Sequence, residues 1–510
     1  MPSSPQSTPA PVRPWPWWRR HKIISALLVV VVVAGGLAWW RPWERCGAGM
    51  SSAEDQCVGL NLDMTPFSSD PTMNALQQRI AQHNSEITGE DFITVVVLNN
   101  MTPDPGSDSA ALLNVQHGVM GAIAAQARVN TTSVVGSQRP PVKLLLANYG
   151  ANARWQSEAV QAILDHRDEQ HIVAVVGLGQ SLDGTRTAAS TLSANKVAVI
   201  SALASADNMN RDPVSNDFIE RFYRIAPTNV DAANAAVSHL REVNAQKVML
   251  VRDNSSSDIY SRTLGDSFEQ AYRAGYGHDV PSEQIFTSPS EPLEGVTRDT
   301  FLQPQFANVY GRMCLEKPDL IYFAGRGSDL KAFLRAVGEG GACSLPEVDL
   351  LTSDDASSLL GGQLPDMPAT KVNVFYTSVA TADMWKNTDQ TDNRANYQAF
   401  ANAFASQDLD DDLRDGYAMA HHDALLLAVG AARLVSNVQK NNKVVAELIN
   451  NTYACGHPLP GATGKIAFSP DSHGDPIDKA LPIMQLKPDG SIEQKGLTWT
   501  NGRPFDEFCR

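Results

Sequence analysis

Residues 172–205, IVAVVGLGQSLDGTRTAASTLSANKVAVISALAS, decide the fold of this chain. The stretch begins with a short apolar run rich in β-branched residues, IVAVV, and a second run, VAVIS, follows it after a helical segment. Such runs are typical of parallel strands that are buried on both faces. Each run is followed by a loop of small residues, 177–184 and 201–205. In an open α/β sheet, ligands bind at this edge, outside the carboxyl ends of the strands.

The alternation of strands and helices continues on both sides of this stretch. Further strand patterns occur at 92–98, 142–146, 247–251, 320–324, 350–352 and 372–377. Helical patterns separate them, which predicts βαβ units and parallel sheets. The strands are too many for one sheet, and the irregular polar stretch 211–229 marks a passage between two. We therefore predict an α/β fold with two doubly wound parallel-sheet lobes and a cleft between them.

The length and charge of the chain narrow the classes of protein to which it can belong. At 510 residues it exceeds one ordinary core, so two or more domains are expected. The net charge is −15, but residues 1–45 hold six Lys and Arg and one acid, which leaves the remainder at −20. Such an acidic body argues against a nucleic-acid partner.

An uncharged apolar segment from Ile23 to Trp40, IISALLVVVVVAGGLAWW, predicts a transmembrane helix. It would span roughly 27 Å, close to the thickness of a bilayer core. Tryptophans flank both ends, and most of the nearby Lys and Arg precede the segment. Residues 1–22 should therefore form a disordered cytoplasmic tail, with the C-terminal body outside the cell. A cleaved signal peptide is the alternative, because small residues occur at 34–38.

All six cysteines follow the apolar segment and would lie outside the cell, where disulfides persist. The sequence allows several pairings, of which we prefer Cys46–Cys57, Cys314–Cys343 and Cys455–Cys509. Cys314 precedes a strand and Cys343 follows the next helix, so both should lie at the N-terminal end of the strands. No C-x-x-C or Cys-His cluster occurs, and no metal site is predicted.

A series of segments then resembles one known superfamily in order and spacing. They are VVGLGQSLDGTRTAAS, VAVISALASADNM, FYRIAPTNVDAANAAVSHL, KVMLVRDNSSSDIYSRTLGDSF, PDLIYFAGRGSDLKAFLRAVGEGG, DGYAMAHHDALLLAVGAARL and TGKIAFSPDSHGD. Together they are similar to the type I periplasmic binding proteins, in particular those of the leucine/isoleucine/valine-binding type. The resemblance covers about residues 91–490.

The resemblance implies two lobes, joined by three crossovers, that close on a small ligand. With the segments above, the expected organisation is a tail, a membrane helix, a lead-in, two lobes that are each discontinuous in sequence, and a C-terminal tail tied by a disulfide. The expected boundaries are 1–22 for the tail, 23–40 for the membrane helix, 41–90 for the extracellular lead-in, 91–227 with 384–470 for the first lobe, 228–383 with 475–498 for the second, and 499–510 for the C-terminal tail.

The resemblance also implies ligand-binding residues on both lobes. In the family, a loop hydroxyl and backbone N–H groups of the first lobe hold a ligand carboxylate, which points to Ser181, Ser205 and the amide of Leu203. In the second lobe, Tyr260 matches an aromatic residue that covers the ligand, and Asp354 matches an acid that binds its ammonium group. Hydroxyl and amide donors suit a carboxylate. Helix capping is the alternative role for the two serines and for the aspartate.

Two positions depart from the family pattern and are kept as candidate ligand contacts. Near the first crossover, where relatives often have an acid, this chain has Asn229. The second aromatic position of the family falls on Arg326. If this arginine binds ligand, a ligand with a second anionic group is favoured, since a guanidinium forks onto carboxylate or phosphate. The alternative for Arg326 is a solvated surface position.

An enzyme is the rival class. Gly177 and Gly179 follow a strand, but the next glycine is Gly184, and no acid ends the following strand, so a dinucleotide cofactor is not expected. The His-His-Asp run at 421–423 lies inside one helix as adjacent residues, which favours packing at the surface or between the lobes over a catalytic triad or a metal site. We expect no catalytic residues, no cofactor and no metal.

The leading hypothesis is a solute-binding protein, anchored in the cell membrane with its body outside, that delivers an amino acid or similar small zwitterion to an ABC importer by cleft closure. Its partners would be the small-molecule ligand, an ABC permease and the membrane. The alternative is an extracellular sensor or interaction module with the same two-lobe body and a degenerate ligand site. The oligomeric state stays open.

Overall fold

The structure, a computed structural model, describes residues 46–104, 108, 110–289, 293, 295–341, 343, 345, 347–360, 362–368, 370–409, 411 and 413–509. The chain divides into residues 1–46 and a compact unit, 47–510, which holds both seven-stranded sheets. The predicted tail, 1–22, and the predicted membrane helix from Ile23 to Trp40 lie outside the described residues. Of the helices that are described, none is long and apolar enough to span a bilayer.

The first lobe is built on a mixed sheet with seven described strands. They are β1 (Met50–Ala53), β2 (Gln56–Asn61), β3 (Ile93–Asn99), β4 (Val142–Asn148), β5 (Ile172–Gly177), β6 (Ala198–Ser201) and β7 (Phe222–Arg224). Their order is β1-β2-β4-β3-β5-β6-β7, and β3 to β7 run parallel. Every residue of β3 and β5 is buried, as expected for strands covered on both faces.

The predicted lead-in, 41–90, does not stand outside this sheet. β1 and β2 form an antiparallel hairpin, and β2 pairs with the edge strand β4. Val58 and Leu60 of β2 are fully buried, so the hairpin covers a parallel edge that would otherwise expose unpaired backbone groups. The sequence pattern missed these strands because the first is short and half-exposed.

The second lobe repeats the topology of the first. Its parallel strands are β8 (Val248–Asp253), β9 (Ser282–Phe286), β10 (Leu320–Ala324), β11 (Glu347–Thr352) and β12 (Lys371–Thr377). The chain then forms a small hairpin in the first lobe and two antiparallel strands that complete the second sheet. These are β13 (Leu459–Gly461) with β14 (Gly464–Ile466), and β15 (Ala480–Leu486) with β16 (Ile492–Trp499). The predicted pair of parallel-sheet lobes is confirmed, and each places its first parallel strand between the second and the third.

Helices cover both faces of each sheet. They are α1 (Pro71–Ser85), α2 (Leu112–Thr131), α3 (Gln156–Asp165), α4 (Asp183–Ala194), α5 (Asn229–Glu242), α6 (Ile259–Tyr276), α7 (Arg298–Glu316), α8 (Gly327–Glu339), α9 (Thr391–Ala405), α10 (Tyr417–Ala432), α11 (Val438–Asn441), α12 (Val445–Thr452) and α13 (Phe505–Phe508). Helix α10 is buried all round, as its apolar composition predicts. It packs closely on α2 because two glycines there leave room: a Cβ on Gly121 would lie 2.0 Å from the carbonyl oxygen of Ala418.

Two of the three predicted disulfides are confirmed. Cys314 pairs with Cys343, with Cα atoms 5.4 Å apart, and Cys455 pairs with Cys509, with Cα atoms 5.1 Å apart. The second bond holds the C-terminal helix α13 to the turn that precedes β13. Cys57 is disulfide-bonded as well, and its pairing with Cys46 stays a prediction.

A buried ion pair joins two of the crossovers, the chain segments that connect the lobes. Arg224, the last residue of β7, is fully buried and donates from Nε to Asp475 Oδ1 at 2.6 Å. Its Nη1 atom donates to the carbonyl oxygens of Ala204 and Ala206. Arg224 precedes the first crossover, where the chain enters the second lobe. Asp475 lies on the last crossover, between β14 of the first lobe and β15 of the second. This arginine therefore connects the first and last crossovers to the loop that follows β6.

Replacing Asp475 tests the contribution of this ion pair to stability. We expect Asp475→Ala to lower the free energy of unfolding by about 3 kcal/mol or more, because it leaves the buried guanidinium of Arg224 without its carboxylate. The measurement is urea unfolding of the full-length protein. Asp471→Ala, four residues earlier on the exposed side of the same turn, is the matched control and should change the free energy of unfolding by less than about 0.5 kcal/mol. Equal effects of the two variants would contradict the assignment.

Candidate functional site

A small cavity lies between the lobes, where the carboxyl ends of both sets of parallel strands meet. Its volume is about 20 Å³, which is room for about one water molecule. The lining residues come from loops after strands of both lobes and from the start of α10. They are Gln180, Ser181, Leu203, Ser205, Tyr260, Arg326, Asp354, Asp355, Ser357, Val379, Asp415 and Tyr417. Six of the seven predicted ligand contacts are among them, and Asn229 is not.

The loop after β5 is shaped by glycine. Gly177 and Gly179 have φ values of +97° and +59°, in the left-handed region that favours glycine. A Cβ on Gly179 would lie 2.4 Å from the hydroxyl of Tyr149, which donates to the carbonyl oxygen of Leu178 at 3.0 Å. The glycines therefore let the loop pack tightly on the first lobe, and this brings Ser181 to the cavity.

Ser181 and Ser205 both reach the cavity, and each already has a partner in the chain. The Ser181 hydroxyl accepts a hydrogen bond from the Ala206 amide at 3.0 Å, which joins the two loops of the first lobe. The Ser205 hydroxyl donates across the cleft to both carboxylate oxygens of Asp354 at 3.1 Å. The predicted carboxylate donor thus contacts the predicted ammonium acceptor directly.

Asp354 is surrounded by hydroxyl groups. Besides Ser205, the hydroxyls of Ser353 and Tyr260 donate to it at 3.0 and 3.3 Å. Burial raises the pKa of Asp354 to about 6, and the neighbouring charge of Asp355 acts in the same direction. Within the described part of the chain, no Lys, Arg or His side chain pairs with Asp354. Its charge is therefore stabilised by hydroxyl groups and by its own backbone N–H group.

Arg326 is buried, which contradicts the alternative of a solvated surface position. Its Nε and Nη2 atoms donate to Asp258 at 2.9 and 2.7 Å, and its Nη1 atom donates to Asp355 at 3.5 Å. Nη2 also donates across the cleft to the carbonyl oxygen of Ser181 at 2.7 Å. Burial alone would lower the pKa of Arg326, but the charges of Asp258 and Asp355 outweigh it and raise the pKa. The sequence suggested that Arg326 would bind a second anionic group of the ligand. In the structure, carboxylates of the chain itself take that place.

Tyr260 lies where a cleft aromatic was predicted, and Asn229 supports it from behind. The guanidinium carbon of Arg326 lies 4.6 Å from the centre of the Tyr260 ring, a cation–π contact. Asn229 is fully buried and donates from Nδ2 to the carbonyl oxygen of Tyr260 at 3.0 Å. Asn229 therefore positions the first turn of α6 rather than lining the cavity.

Several residues that line the cavity or lie directly behind it were not predicted from the sequence. Asp258 caps the N-terminus of α6, where Asp is common, so its local pattern gave no sign of its contact with Arg326. Asp355 follows Asp354 directly and accepts from the amide of Gly327 at 2.7 Å. Asp415 and Tyr417 lie at the start of α10, far away in sequence. The only signal available was the pattern DGY before a long apolar helix.

Three solved structures share this architecture. A substrate-binding protein of an ABC transporter from Desulfitobacterium hafniense, in complex with Leu, is 17% identical, with a TM-score of 0.56 over 80% of this chain and 100% of that chain. The substrate-binding protein LivJ from Streptococcus pneumoniae, in complex with isoleucine, is 15% identical, with a TM-score of 0.56 over 80% and 99%. A solute-binding protein from Rhodopseudomonas palustris, in complex with p-hydroxybenzoic acid, is 15% identical, with a TM-score of 0.56 over 81% and 98%.

This chain has the type I periplasmic-binding-protein fold. No family model matches the sequence, and no curated protein matches it significantly. At these identities the likeness is one of fold, and the ligand has to be argued from the cavity itself.

Within the type I periplasmic-binding-protein fold, the His-His-Asp run at 421–423 is structural. All three side chains are fully buried in the first lobe, so the predicted packing at the surface or between the lobes is wrong. His422 contacts Asp423, whose carboxylate accepts from the amides of Ala462 and Thr463, both at 2.8 Å. Asp423 therefore holds the β13–β14 turn. Among the residues that the structure describes, no cluster of His, Cys, Asp or Glu is arranged to hold a metal ion.

A buried histidine lies behind the cavity. His117 of α2 contacts Asp415 through Nδ1 at 2.7 Å and Asp411 through Nε2 at 3.2 Å. Burial alone would lower the pKa of His117, but the hydrogen bond and charge of Asp415, with a further contribution from Asp411, raise it to about 8. At neutral pH the protonated ring therefore compensates the carboxylate of Asp415.

This histidine makes stability depend on pH. The folded-state pKa of about 8 exceeds the unfolded value of 6.5, so the stabilisation is fully present below pH 6.5 and is lost as pH rises through about 8. We expect the free energy of unfolding of the parent protein to fall by about 2 kcal/mol relative to that of His117→Gln over this window. Chemical unfolding of both proteins at several pH values measures this difference, in which the titrations of other groups cancel. A constant difference would contradict the raised pKa.

Proposed function

We propose that the protein is a solute-binding protein that captures a small ligand, an amino acid or similar zwitterion, between its two lobes and delivers it to an ABC importer. The observation that carries this proposal is the convergence of the loops after β5 and β6 with Tyr260, Arg326 and Asp354 on one interlobe cavity. The proteins of similar structure include complexes with Leu, isoleucine and p-hydroxybenzoic acid, so this fold accommodates both amino acids and aromatic acids.

The donors left free in the cavity suit a zwitterion. In the described part of the chain, the backbone N–H groups of Leu203 and Ser205 donate to no protein atom, so they can receive a ligand carboxylate. Asp354, across the cleft, can receive an ammonium group once the lobes part and release its contact with Ser205. A cavity of about 20 Å³ is too small for an amino acid, so binding requires lobe opening followed by closure on the ligand.

Ligand screening tests the proposal. We expect one or more amino acids to raise the melting temperature of the full-length protein; a ligand present at about a hundredfold its Kd adds about 2.7 kcal/mol to the free energy of unfolding. Asp354→Asn should weaken this binding. Asp168→Asn is the control and should leave the binding unchanged, because the Asp168 side chain is 84% exposed. Hydroxybenzoate and related aromatic acids complete the panel. If nothing in the panel binds, the proposal fails.

A sensor or interaction module is the second candidate, and one observation favours it. The chain closes its own cleft through contacts from Arg326 to Ser181, from Ser205 to Asp354 and from Gln180 to Asp355 at 3.2 Å. A body that stays closed in this way would present one fixed surface to a partner. Under this candidate, Arg326→Ala should increase the radius of gyration in small-angle X-ray scattering, whereas no amino acid should change it.

Membrane anchoring is part of the proposal and rests on the sequence. The apolar segment from Ile23 to Trp40 would hold the protein in the cell membrane with its body outside. We expect the protein from cells to stay in the membrane fraction after alkaline extraction and to keep residues 1–22, as measured by peptide mass spectrometry. A mature chain that begins shortly after residue 38 would instead identify a cleaved signal peptide.

A further inference from the structure

We propose that a groove of the first lobe, between helices α2 and α9, binds a second ligand: a small organic anion with a carboxylate or phosphate group on an apolar body. The groove is separate from the interlobe cavity, because no described residue lines both. Its volume is about 670 Å³, within the range of about 300–1,000 Å³ that is typical of small-molecule sites. The proposal goes beyond the proposed function and does not depend on the ligand of the cleft.

Arg128, in the last turn of α2, gives the groove its charge. None of the other described residues that line the groove is charged. Its Nη1 atom lies 3.3 Å from Nε2 of His422, and within the described part of the chain no carboxylate pairs with it. The Nε and Nη2 atoms, which form one edge of the guanidinium, have no acceptor there either. This edge can therefore donate to both oxygens of a carboxylate or phosphate.

Two fully buried residues, His422 and Asp423, hold the guanidinium in place. Nδ1 of His422 lies 2.8 Å from the Asp423 carboxylate and donates to it, so Nε2 is left to accept from Arg128. Burial lowers the pKa of His422, which keeps the ring neutral and able to accept. The free edge of Arg128 is therefore fixed from the core of the lobe, and this reduces the entropy that binding costs.

The hydrogen-bond network behind Arg128 carries more cations than carboxylates. Its second cation is the buried Lys479, which donates to the carbonyl oxygen and the hydroxyl of Thr463, both at 2.8 Å. That hydroxyl donates to Asp423 at 2.7 Å, so Arg128 and Lys479 share one carboxylate. Burial lowers the pKa of Lys479 only to about 8, so both cations are charged at neutral pH. An anion bound at Arg128 offsets the excess.

The opposite wall of the groove suits the rest of such a ligand. Asn402 of α9 accepts from Gln398 through Oδ1 at 2.9 Å, so its Nδ2 atom remains as a second donor. Ala399, Ala403 and Val134 supply methyl groups for an apolar body. The lining therefore combines a charged fork, a neutral donor and an apolar surface.

The C-terminal end of α2 opposes an anion, because its last carbonyl oxygens carry partial negative charge. Two of these carbonyls already have donors in the chain. Those of Ala127 and Arg128 accept from the hydroxyls of Thr131 and Thr132, both at 2.8 Å, and the amide of Thr132 also donates to the second at 2.9 Å. The guanidinium of Arg128 is therefore not needed to cap the helix and is available to a ligand.

Hexanoate, hexyl phosphate and hexanamide test the site, because they share an apolar chain and differ in the charge of the head group. Isothermal titration of the full-length protein should give, for at least one of the two anions, a Kd at least about tenfold lower than for hexanamide. The anion that binds more tightly identifies the preferred head group as carboxylate or phosphate. Hexanamide binding as tightly as both anions, or binding of neither anion, would overturn the proposal.

Arg128→Gln places this binding in the groove. It should raise the Kd of the anion by about tenfold or more and remove the preference over hexanamide. Arg241→Gln is the matched control, because it removes an exposed arginine from the last turn of α5, and it should change neither quantity. Unchanged anion binding in Arg128→Gln would show that the anion binds elsewhere and would overturn the proposal.

Ala403→Leu tests the groove without touching Arg128, and it decides the matter if melting temperatures show that Arg128→Gln is not folded. The larger side chain should fill part of the groove and weaken the binding of the anion by about tenfold or more. Ala395→Leu, at an exposed position of the same helix outside the groove, is its control and should leave the binding unchanged. Equal anion binding in these two variants would contradict the proposed site.

Discussion

The buried guanidinium of Arg224 is the constraint on which the binding loops depend. Arg224 is the last residue of β7. Its guanidinium pairs with Asp475 and donates to the carbonyl oxygens of Ala204 and Ala206. Both carbonyls belong to the loop that brings Leu203 and Ser205 to the cavity. Since the same arginine also fixes the last passage between the lobes, the position of the binding loop and the connection of the lobes are set by one side chain. Lobe movement that left Arg224 in place would keep the first-lobe half of the site intact.

The two halves of the site are stabilised in different ways. The first-lobe half is made of backbone groups, small residues and hydroxyls, whose geometry comes from tight packing of the loop 177–182 on Tyr149. The second-lobe half is made of charges that balance one another, with Arg326 between Asp258 and Asp355. Backbone N–H groups can donate hydrogen bonds to almost any carboxylate, whereas buried charges discriminate strongly between ligands of different charge. Ligand choice should therefore be determined mainly by the second lobe.

Much of the fold could be predicted from the sequence because the strands buried on both faces have distinctive compositions. The stretch 172–205 contains two such strands with the small-residue loops between and after them, and both strands were predicted from that pattern. Edge elements were missed, including β9, where half-buried and exposed residues alternate before the buried Phe286, and α7, which contains Pro304. Local patterns are weak at such positions, and neighbours in the fold decide their structure.

The residues of the site likewise fall into those that local sequence patterns predict and those that they do not. Loop serines after buried strands can be placed from sequence, because the topology brings the carboxyl ends of parallel strands together. The pairing of Arg326 with Asp258 cannot be predicted in this way, because the two residues are 68 positions apart. Asp258 has an ordinary local role as the cap of α6, and Arg326, which precedes α8, makes no local capping hydrogen bond that would mark it.

The contacts that close the cleft also limit how the protein can respond to a ligand. Ser205 and Arg326 already bridge the lobes with hydrogen bonds that a ligand must replace or break. A ligand shifts the balance between open and closed forms only by the difference in its affinity for the two. A ligand that merely replaced Ser205 as the partner of Asp354 would gain little, since one hydrogen bond is exchanged for another. A ligand ammonium exchanges a neutral hydroxyl for a charge, and that difference is what can make closure depend on the ligand.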